Sequence, residues 1–363
     1  MHVSKVIHIN MKKIIIAAFL FLVPVFMFAQ YKVSGIVLDE KTQQPMSGAS
    51  VFCQNTTIGT LTNSNGEFSI TVPSGGYDIV VSYTGYETQS QRISRQTENI
   101  ETMRFVLKEK DKSMEEVSVV ATTEVRNGLE KYGDFFREHF IGLTENSALC
   151  QIENPGALRF FFSKKRNRLK IIASEDLIIM NKSLGYRIRY QLDSFIHEYG
   201  TTVTQFTGYP LFEELSGTES EKETWKQKRE EAYLGSLTHF LKSYYEKTLR
   251  SEGFMIQFTD KSGKLRPLND PYEFTNIEDE ELELKPPGKL RVAYLNELPE
   301  TAYLTKNKLS PSNTIQISEL EFRESIIVEK NGYFFDQRDL LTIGYWGWEK
   351  LADFMPYDFQ LAQ

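Results

Sequence analysis

Five histidines, two cysteines and 49 acidic residues are what this 363-residue sequence offers to catalysis or metal binding. A zinc peptidase clusters His and Glu at fixed offsets, as in HExxH, so that one coordination position stays open. His139 is followed by FIG, His197 by EYG and His239 by FLK, and none completes such a pattern. His2 and His8 lie ahead of a leader-like segment. Gly235-Ser236 lacks the flanks of a GxSxG elbow and stands where a helix would begin, so Ser236 reads as a cap. Cys150 and His139 could in principle pair as nucleophile and base, but no motif surrounds them. No GxxxxGK[ST] or GxGxxG occurs, which removes the usual signals for nucleotide cofactors. The sequence therefore supplies no catalytic residue, cofactor site or metal site. Acidic pairs suited to glycoside hydrolysis stay open, because sequence does not give their separation.

A calcium loop is the other chemistry to test, at Asn63 to Ser74. Such a loop needs oxygen ligands at alternate positions and a bidentate Glu at the twelfth, where Ser74 stands here. Asn63, Asn65 and Gly66 instead suit a turn, since Asn tolerates left-handed geometry and Gly adopts it without steric cost. The aromatics are the better lead. Tyr345, Trp346 and Trp348 fall together in GYWGW, and Tyr83 and Tyr86 flank Gly85 in SYTGYE. On Gly-rich loops these five could stack on sugar rings or peptide partners. The plainer expectation, and the favoured one, is that they plug the ends of their own sheets.

The elements that must position these residues are mostly strands. Between Tyr31 and Lys108, runs such as YKVSGIVL, ASVFCQ, FSITV and YDIVVSY alternate with Gly/Pro/Asn clusters, the pattern of a β-sandwich. In YDIVVSY, Tyr77, Ile79, Val81 and Tyr83 share one face. Lys108 to Val125 is charged, then weakly β-like, and reads as a linker. Leu129, Tyr132, Phe136 and Phe140 lie near helical spacing. From Leu158 to Leu215 strands return. LRFFF and RLKIIA flank the turn SKKRN, and GYRIRYQL alternates an apolar face with a wet one. Ser220 with Glu223 fits a capping box, and Leu237, Phe240, Leu241, Tyr244, Tyr245 and Leu249 form a helical stripe that Gly253 would stop. Near the end, Asn331-Gly332 signals a hairpin.

The N-terminus carries an address. Lys12 and Lys13 precede IIIAAFLFLVPVFMF and then FAQ, a basic, apolar and small-residue series that reads as a cleaved signal peptide over residues 1–30. Met11 opens a more conventional signal than Met1, which leaves Met1 or Met11 as the start. The apolar run is shorter than the ~20 residues a spanning helix needs, and no later segment is long enough to cross as one. A net charge of -7 argues against nucleic-acid partners. Cys53 and Cys150 do not make a disulfide framework, and Cys53 in SVFCQ reads as a small buried hydrophobe.

Val33 to Glu87 resembles the carboxypeptidase regulatory-like domain of exported proteins in Bacteroidetes-type bacteria. Gly35, Val37, Asp39, Thr42, Pro45, Gly48, Ala49 and Val51 carry the likeness, continued by Gly59, Thr60, Thr62, Asn63, Gly66, Phe68 and SYTGYE. Asn63 stands where Asp is more usual. The resemblance implies a seven-stranded, transthyretin-like sandwich without catalytic residues of its own. The same domain opens many TonB-dependent outer-membrane receptors, and MEEVSVVAT is similar to their following linker. Too few residues follow for a plug and a barrel of about 22 strands. LGYRIRYQL, FTGYPLFEEL, YLGSLTHFLKSYYEKTLRSEGF and GYWGWEKLADFMPYDF resemble exported carboxypeptidase-like regulatory domain-containing proteins, which brings no activity with it.

The expectation is a mainly β chain with some α. A signal peptide (1–30) precedes a sandwich (31–108), a linker (109–127) and a β-rich α+β domain (128–363). The function expected is a non-enzymatic binding or interaction role in the periplasm or at the outer membrane, with an envelope protein or glycan as partner. A hydrolase, peptidase or glycosidase, with its site in the C-terminal domain is one alternative. A small outer-membrane β-barrel is another, opposed by the helical stripe and by an ending, FQLAQ, that lacks a terminal aromatic.

Overall fold

The computed structural model describes residues 30–361 apart from 95, 96, 98, 99, 111–122, 261, 269, 279, 280 and 336. The signal segment and most of the linker, MEEVSVVAT included, lie outside the described residues. Seven strands open the chain: β1 (Gln30–Asp39), β2 (Ser50–Cys53), β3 (Gly59–Leu61), β4 (Glu67–Pro73), β5 (Tyr77–Ser82), β6 (Gln89–Ile93) and β7 (Met103–Leu107). They form two sheets, ordered β4-β1-β7 and β3-β2-β5-β6, the sandwich that the alternation of these runs predicts. Between the sheets, Val33, Val37, Phe68, Ile70, Tyr77, Ile79, Val81 and Phe105 make one core.

The second unit runs from β8 (Thr123–Glu124) and α1 (Gly128–Phe140) through β9 (Cys150–Ile152), β10 (Leu158–Ser163), β11 (Arg168–Ala173) and β12 (Leu177–Asn181) to the long hairpin β13 (Tyr186–Glu198) and β14 (Val203–Glu214). Its sheet is ordered β8-β10-β11-β13-β12-β9, with β14 alongside β13. A register shift between Leu192 and Ser194 lets β13 leave β12 at one end and pair with β11 at the other. On α1, Phe136 and Phe140 are buried as their spacing predicts, whereas Leu129 is exposed.

Helices α2 (Glu219–Tyr233) and α3 (Leu237–Tyr245) lead to the third unit. The capping box on α2 is formed by Thr218 and Glu221, two residues earlier than Ser220 and Glu223, because Thr218 is the last residue with extended backbone. Ser236 caps α3, accepting from the His239 amide, as its position predicts. The stripe on α3 ends at Tyr245, not at Gly253, since Lys247 turns left-handed at φ 58°. Then come β15 (Phe254–Thr259), β16 (Leu265–Pro267), β17 (Thr275–Glu278), β18 (Glu281–Leu284), β19 (Lys289–Tyr294), α4 (Thr301–Lys306), β20 (Gln316–Phe322), β21 (Ile326–Val328), β22 (Leu340–Gly344) and α5 (Tyr345–Trp348). The sheets are β16-β15-β19-β20-β22 and β17-β18-β21. Asn331-Gly332 closes a tight turn, with Glu329 N–H donating to the Tyr333 carbonyl. The described strands thus divide among five separate packed sheets, an architecture unlike the single closed barrel entertained above.

The sandwich is not a detached module. On β2 and β5 the residues between the core positions, Phe52 and Val80, are buried as well, against Leu211 and Tyr209 of β14. Burying each such side chain contributes about 1.5–3 kcal/mol. Asn55 N–H donates to the Pro210 carbonyl at 2.7 Å and Phe212 N–H to the Thr56 carbonyl at 2.9 Å. Arg189, on the face of GYRIRYQL expected to be wet, reaches Ser50 Oγ at 2.6 Å. The third unit docks too: Asn331 Nδ2 donates to the Gly76 carbonyl at 3.0 Å and the Arg92 guanidinium lies 3.6 Å above the Phe335 ring.

Placing a carboxylate in this seam tests the coupling. Leu211→Asp should cost more than about 3 kcal/mol in urea unfolding. In calorimetry it should split one transition into two, with the sandwich melting apart from the rest.

Candidate functional site

The chain from Tyr345 to Asp358 crosses all three units, and the groups with the most altered chemistry gather where it does so. Trp346 is 6% exposed, and its indole N–H donates to the Gly235 carbonyl at 2.7 Å. Gly235 needs to be glycine: its φ is +80°, and a Cβ there would lie 2.6 Å from the Tyr294 ring. Farther on, Ala352 N–H donates to the Ile141 carbonyl and Asn181 Nδ2 to the Ala352 carbonyl, fixing the segment to the second core. It then reaches the sandwich. Asn55 Nδ2 donates to the Met355 carbonyl at 3.2 Å, Tyr357 N–H to the Asn55 carbonyl at 2.8 Å, and Thr57 N–H to Asp358 Oδ1 at 3.0 Å.

The strap carries Glu349 and Asp353, and Glu297 and Glu300 lie beside them. Burial is the first cause that raises three of them: Asp353 and Glu297 to about 7, and Glu349 well above the ordinary carboxylate range. Their mutual negative charge pushes the same way. Burial also lowers the neighbouring Lys350 ammonium. Asp353 accepts from Thr144 Oγ1 at 2.9 Å, Asn146 Nδ2 at 3.0 Å and Lys350 N–H at 3.4 Å. Glu300 accepts from the Trp348 indole at 2.9 Å and the Glu145 amide at 3.1 Å. This is a cluster of carboxyls, Glu297 the most exposed of them, beside a half-buried Trp348 and its partner ring Tyr303, 5.7 Å away.

The second candidate patch is on the sandwich. Gly85, at φ +86°, turns the chain so that Tyr86 donates to Asp39 Oδ2 at 2.7 Å. The Asp39 carboxyl is held at about 2, first by the Thr42 amide, then by the Tyr86 and Thr42 hydroxyls. Tyr83 packs edge-on against Tyr86 at 5.5 Å and is 38% exposed. The Asn63 turn keeps its side-chain oxygen for its own backbone, accepting from the Asn65 and Glu67 amides. Seven strands in two sheets, this turn and the SYTGYE corner coincide with one family. Residues 33–119 match the CarboxypepD_reg-like domain.

Among curated relatives, the chain is 35% identical over 97 residues to the TonB-dependent receptor SusC of Bacteroides thetaiotaomicron, which covers 27% of this chain and 9% of that protein. It is 33% identical over 96 residues to the TonB-dependent receptor P39 of Formosa agariphila, covering 26% of this chain and 9% of that protein. The chain therefore spans about a tenth of the length of these relatives. Among solved structures, 3-chlorocatechol 1,2-dioxygenase from Rhodococcus opacus 1CP covers 23% of this chain and 60% of its own. Its TM-score of 0.19 at 10% identity carries nothing over to this protein.

Of the five aromatics singled out by sequence, Tyr345 and Trp346 lie in the interior, at 4% and 6% exposure. Tyr86 is turned onto Asp39 of its own domain. Tyr83 and Trp348 keep an accessible ring edge. Cys53 and Cys150 are both buried and unbridged, one in the sandwich core and one in the second core. Burial pushes the Cys150 thiol up to about 12, the opposite of what a nucleophile requires. Sequence reasoning missed Asp353, Glu349 and Glu297. For Glu349 and Asp353 the one sequence signal is an acidic pair spaced around apolar residues in WGWEKLADFM, and Glu297 in LNELPE has none.

The sign of the pH dependence follows from the raised carboxyls. Folded Asp353 holds its proton more tightly than the unfolded chain does. Stability from this group is therefore present at acid pH and lost as pH rises from about 4 to about 7. Asp353→Asn should be the more stable protein at pH 8. It should also flatten the slope of unfolding free energy against pH by up to about 1.4 kcal/mol per pH unit in that window, read by urea titration.

Proposed function

We propose that this is an exported cell-envelope protein that acts by binding, not by catalysis, with the CarboxypepD_reg-like domain built into its body as a rigid part. The likeness of that domain to two TonB-dependent receptors supports an envelope setting. The leader-like N-terminus supports export. The observation that carries the non-enzymatic reading is how Asp353 and Glu300 are used. Each spends its oxygens on amide, hydroxyl or indole donors of its own chain, the pattern of structural carboxylates. The surface left for a partner centres on the half-buried Trp348, backed by the buried Tyr303 ring, and secondarily on Tyr83. An aromatic edge beside carboxylates suits a glycan or a peptide segment of another envelope protein.

A hydrolase is the second reading, and the raised Glu349 and Glu297 favour it, because a protonated carboxyl near neutral pH can act as a general acid. The two readings separate on turnover. A panel of peptide and glycan substrates should show none. Turnover abolished by Glu349→Gln would establish the hydrolase instead. For binding, a photo-crosslinking residue placed at position 348 in living cells should trap one discrete envelope partner. Trp348→Ala should reduce co-purification of that partner at least tenfold while moving Tm by only a few degrees. Crosslinks that are absent at both 348 and 83 would sink the proposed surface.

A further inference from the structure

Two histidines that complete no motif in the sequence are brought together by the fold. His139 lies in the last turn of α1 and His197 near the distal end of β13. Their ring centroids are 5.7 Å apart. Phe135 stacks on His139 at 4.0 Å and meets His197 edge-on at 4.8 Å, while Tyr199 closes on His197 at 4.5 Å. Each ring is oriented through one nitrogen. His139 Nδ1–H donates to the Phe135 carbonyl at 2.9 Å, and His197 Nδ1 lies 2.8 Å from Thr204 Oγ1 on β14. His197 is 5% exposed and His139 is half-buried.

Burial disfavours imidazolium at both rings, while the surrounding charges are of both signs. Two carboxylates bear on the rings, Glu138 from α1 and Glu198 from β13. Glu138 is already paired with Lys306 of α4 and Glu198 with Arg168 of β11. Lys306 and Lys350 of the strap add positive charge facing His139. Tyr132 and Tyr199 are the further titratable neighbours, and burial raises the Tyr199 hydroxyl. A proton on one ring thus meets buried surroundings and the other ring, with Glu138, Glu198 and the Phe135 carbonyl easing part of that cost and the two lysines adding to it at His139.

We propose that the His139–His197 contact is an acid-sensitive catch: neutral rings hold the end of α1 on the β13–β14 hairpin, and double protonation releases it. Burial, first, lowers both imidazoles. Their contribution to stability is accordingly complete above about pH 6.5 and is lost as pH falls below it. Like charges this close also repel. The other end of α1 is fixed, since Gly128 lies against Phe160 so tightly that a Cβ would sit 2.6 Å from it. Release at the histidine end therefore uncovers Phe135, Phe136 and Phe140. It also loosens Ile141, whose carbonyl anchors the strap at Ala352.

Amide hydrogen exchange by mass spectrometry at pH 8 and pH 5, corrected for intrinsic rates, reads the catch directly. Peptides spanning 128–141 should lose protection at least tenfold at pH 5, while those covering β5 in the sandwich change little. His197→Phe combined with Thr204→Val removes one charge and leaves no orphaned hydroxyl, and should abolish the acid response. Equal protection of α1 at the two pH values, or an acid response that survives in the double variant, would overturn the proposal. Asp353 cannot imitate the effect, because it stabilises the fold as pH falls. Should the double variant fail to fold, histidine ring resonances of the wild-type protein decide. Two mutually coupled titrations below the ordinary range support the catch, and independent titration of each ring near 6.5 refutes it.

Discussion

One segment, residues 345–358, is the constraint on which the rest of the structure depends. It enters the third core with Trp346, the second with Leu351, Ala352 and Met355, and reaches the sandwich with Tyr357 and Asp358. Its backbone groups find partners in each unit, so detaching it would strand buried donors and acceptors in three places at once. The cost of threading it so deep is visible in its carboxylates. Glu349 and Asp353 are held where ionisation is disfavoured, and only dense hydrogen bonding makes that tolerable for Asp353.

The same logic explains the sandwich. Its two sheets seal one core in the ordinary way, with β1 running antiparallel to β4 and parallel to β7. Yet Phe52 and Val80, pointing out of that core, are as dry as the residues pointing in. A sheet buried on both faces belongs to a layered body in which the sandwich is an inner layer as much as an end. The CarboxypepD_reg-like domain here is a structural member, bonded to β14, to the Asn331 turn and to the strap.

Much of this was legible in the residues. Alternation in YDIVVSY and GYRIRYQL named the inward faces, and Asn-Gly pairs named the turns, because both signals are local and set by backbone geometry. The capping box was misplaced by two residues, since Thr218 and Ser220 are chemically equivalent caps and only the backbone distinguishes them. The wet face assigned to Arg189 was misread for a deeper reason. Its partner, Ser50, is 139 positions away, and period-two patterns say nothing about what lies across a seam. The carboxylate cluster and the histidine pair share that cause: their altered acidity comes from burial and from neighbours far along the chain. Trp346 and Tyr345 illustrate the converse, for a Gly-flanked aromatic run looks the same whether it faces solvent or a core.

Asn55 and its strap partner Met355 are 300 positions apart. A contact of that span forms only after nearly all of the intervening chain has been made and delivered. Until then, the sandwich has a completed inner core but a bare outer sheet, with Phe52 and Val80 waiting for β14 and a loop waiting for Asp358. Closing loops so long is slow compared with local strand pairing. The sandwich thus precedes the other two units along the chain yet is finished only when the strap arrives, and the interval between is when this protein is most exposed to mispairing with copies of itself.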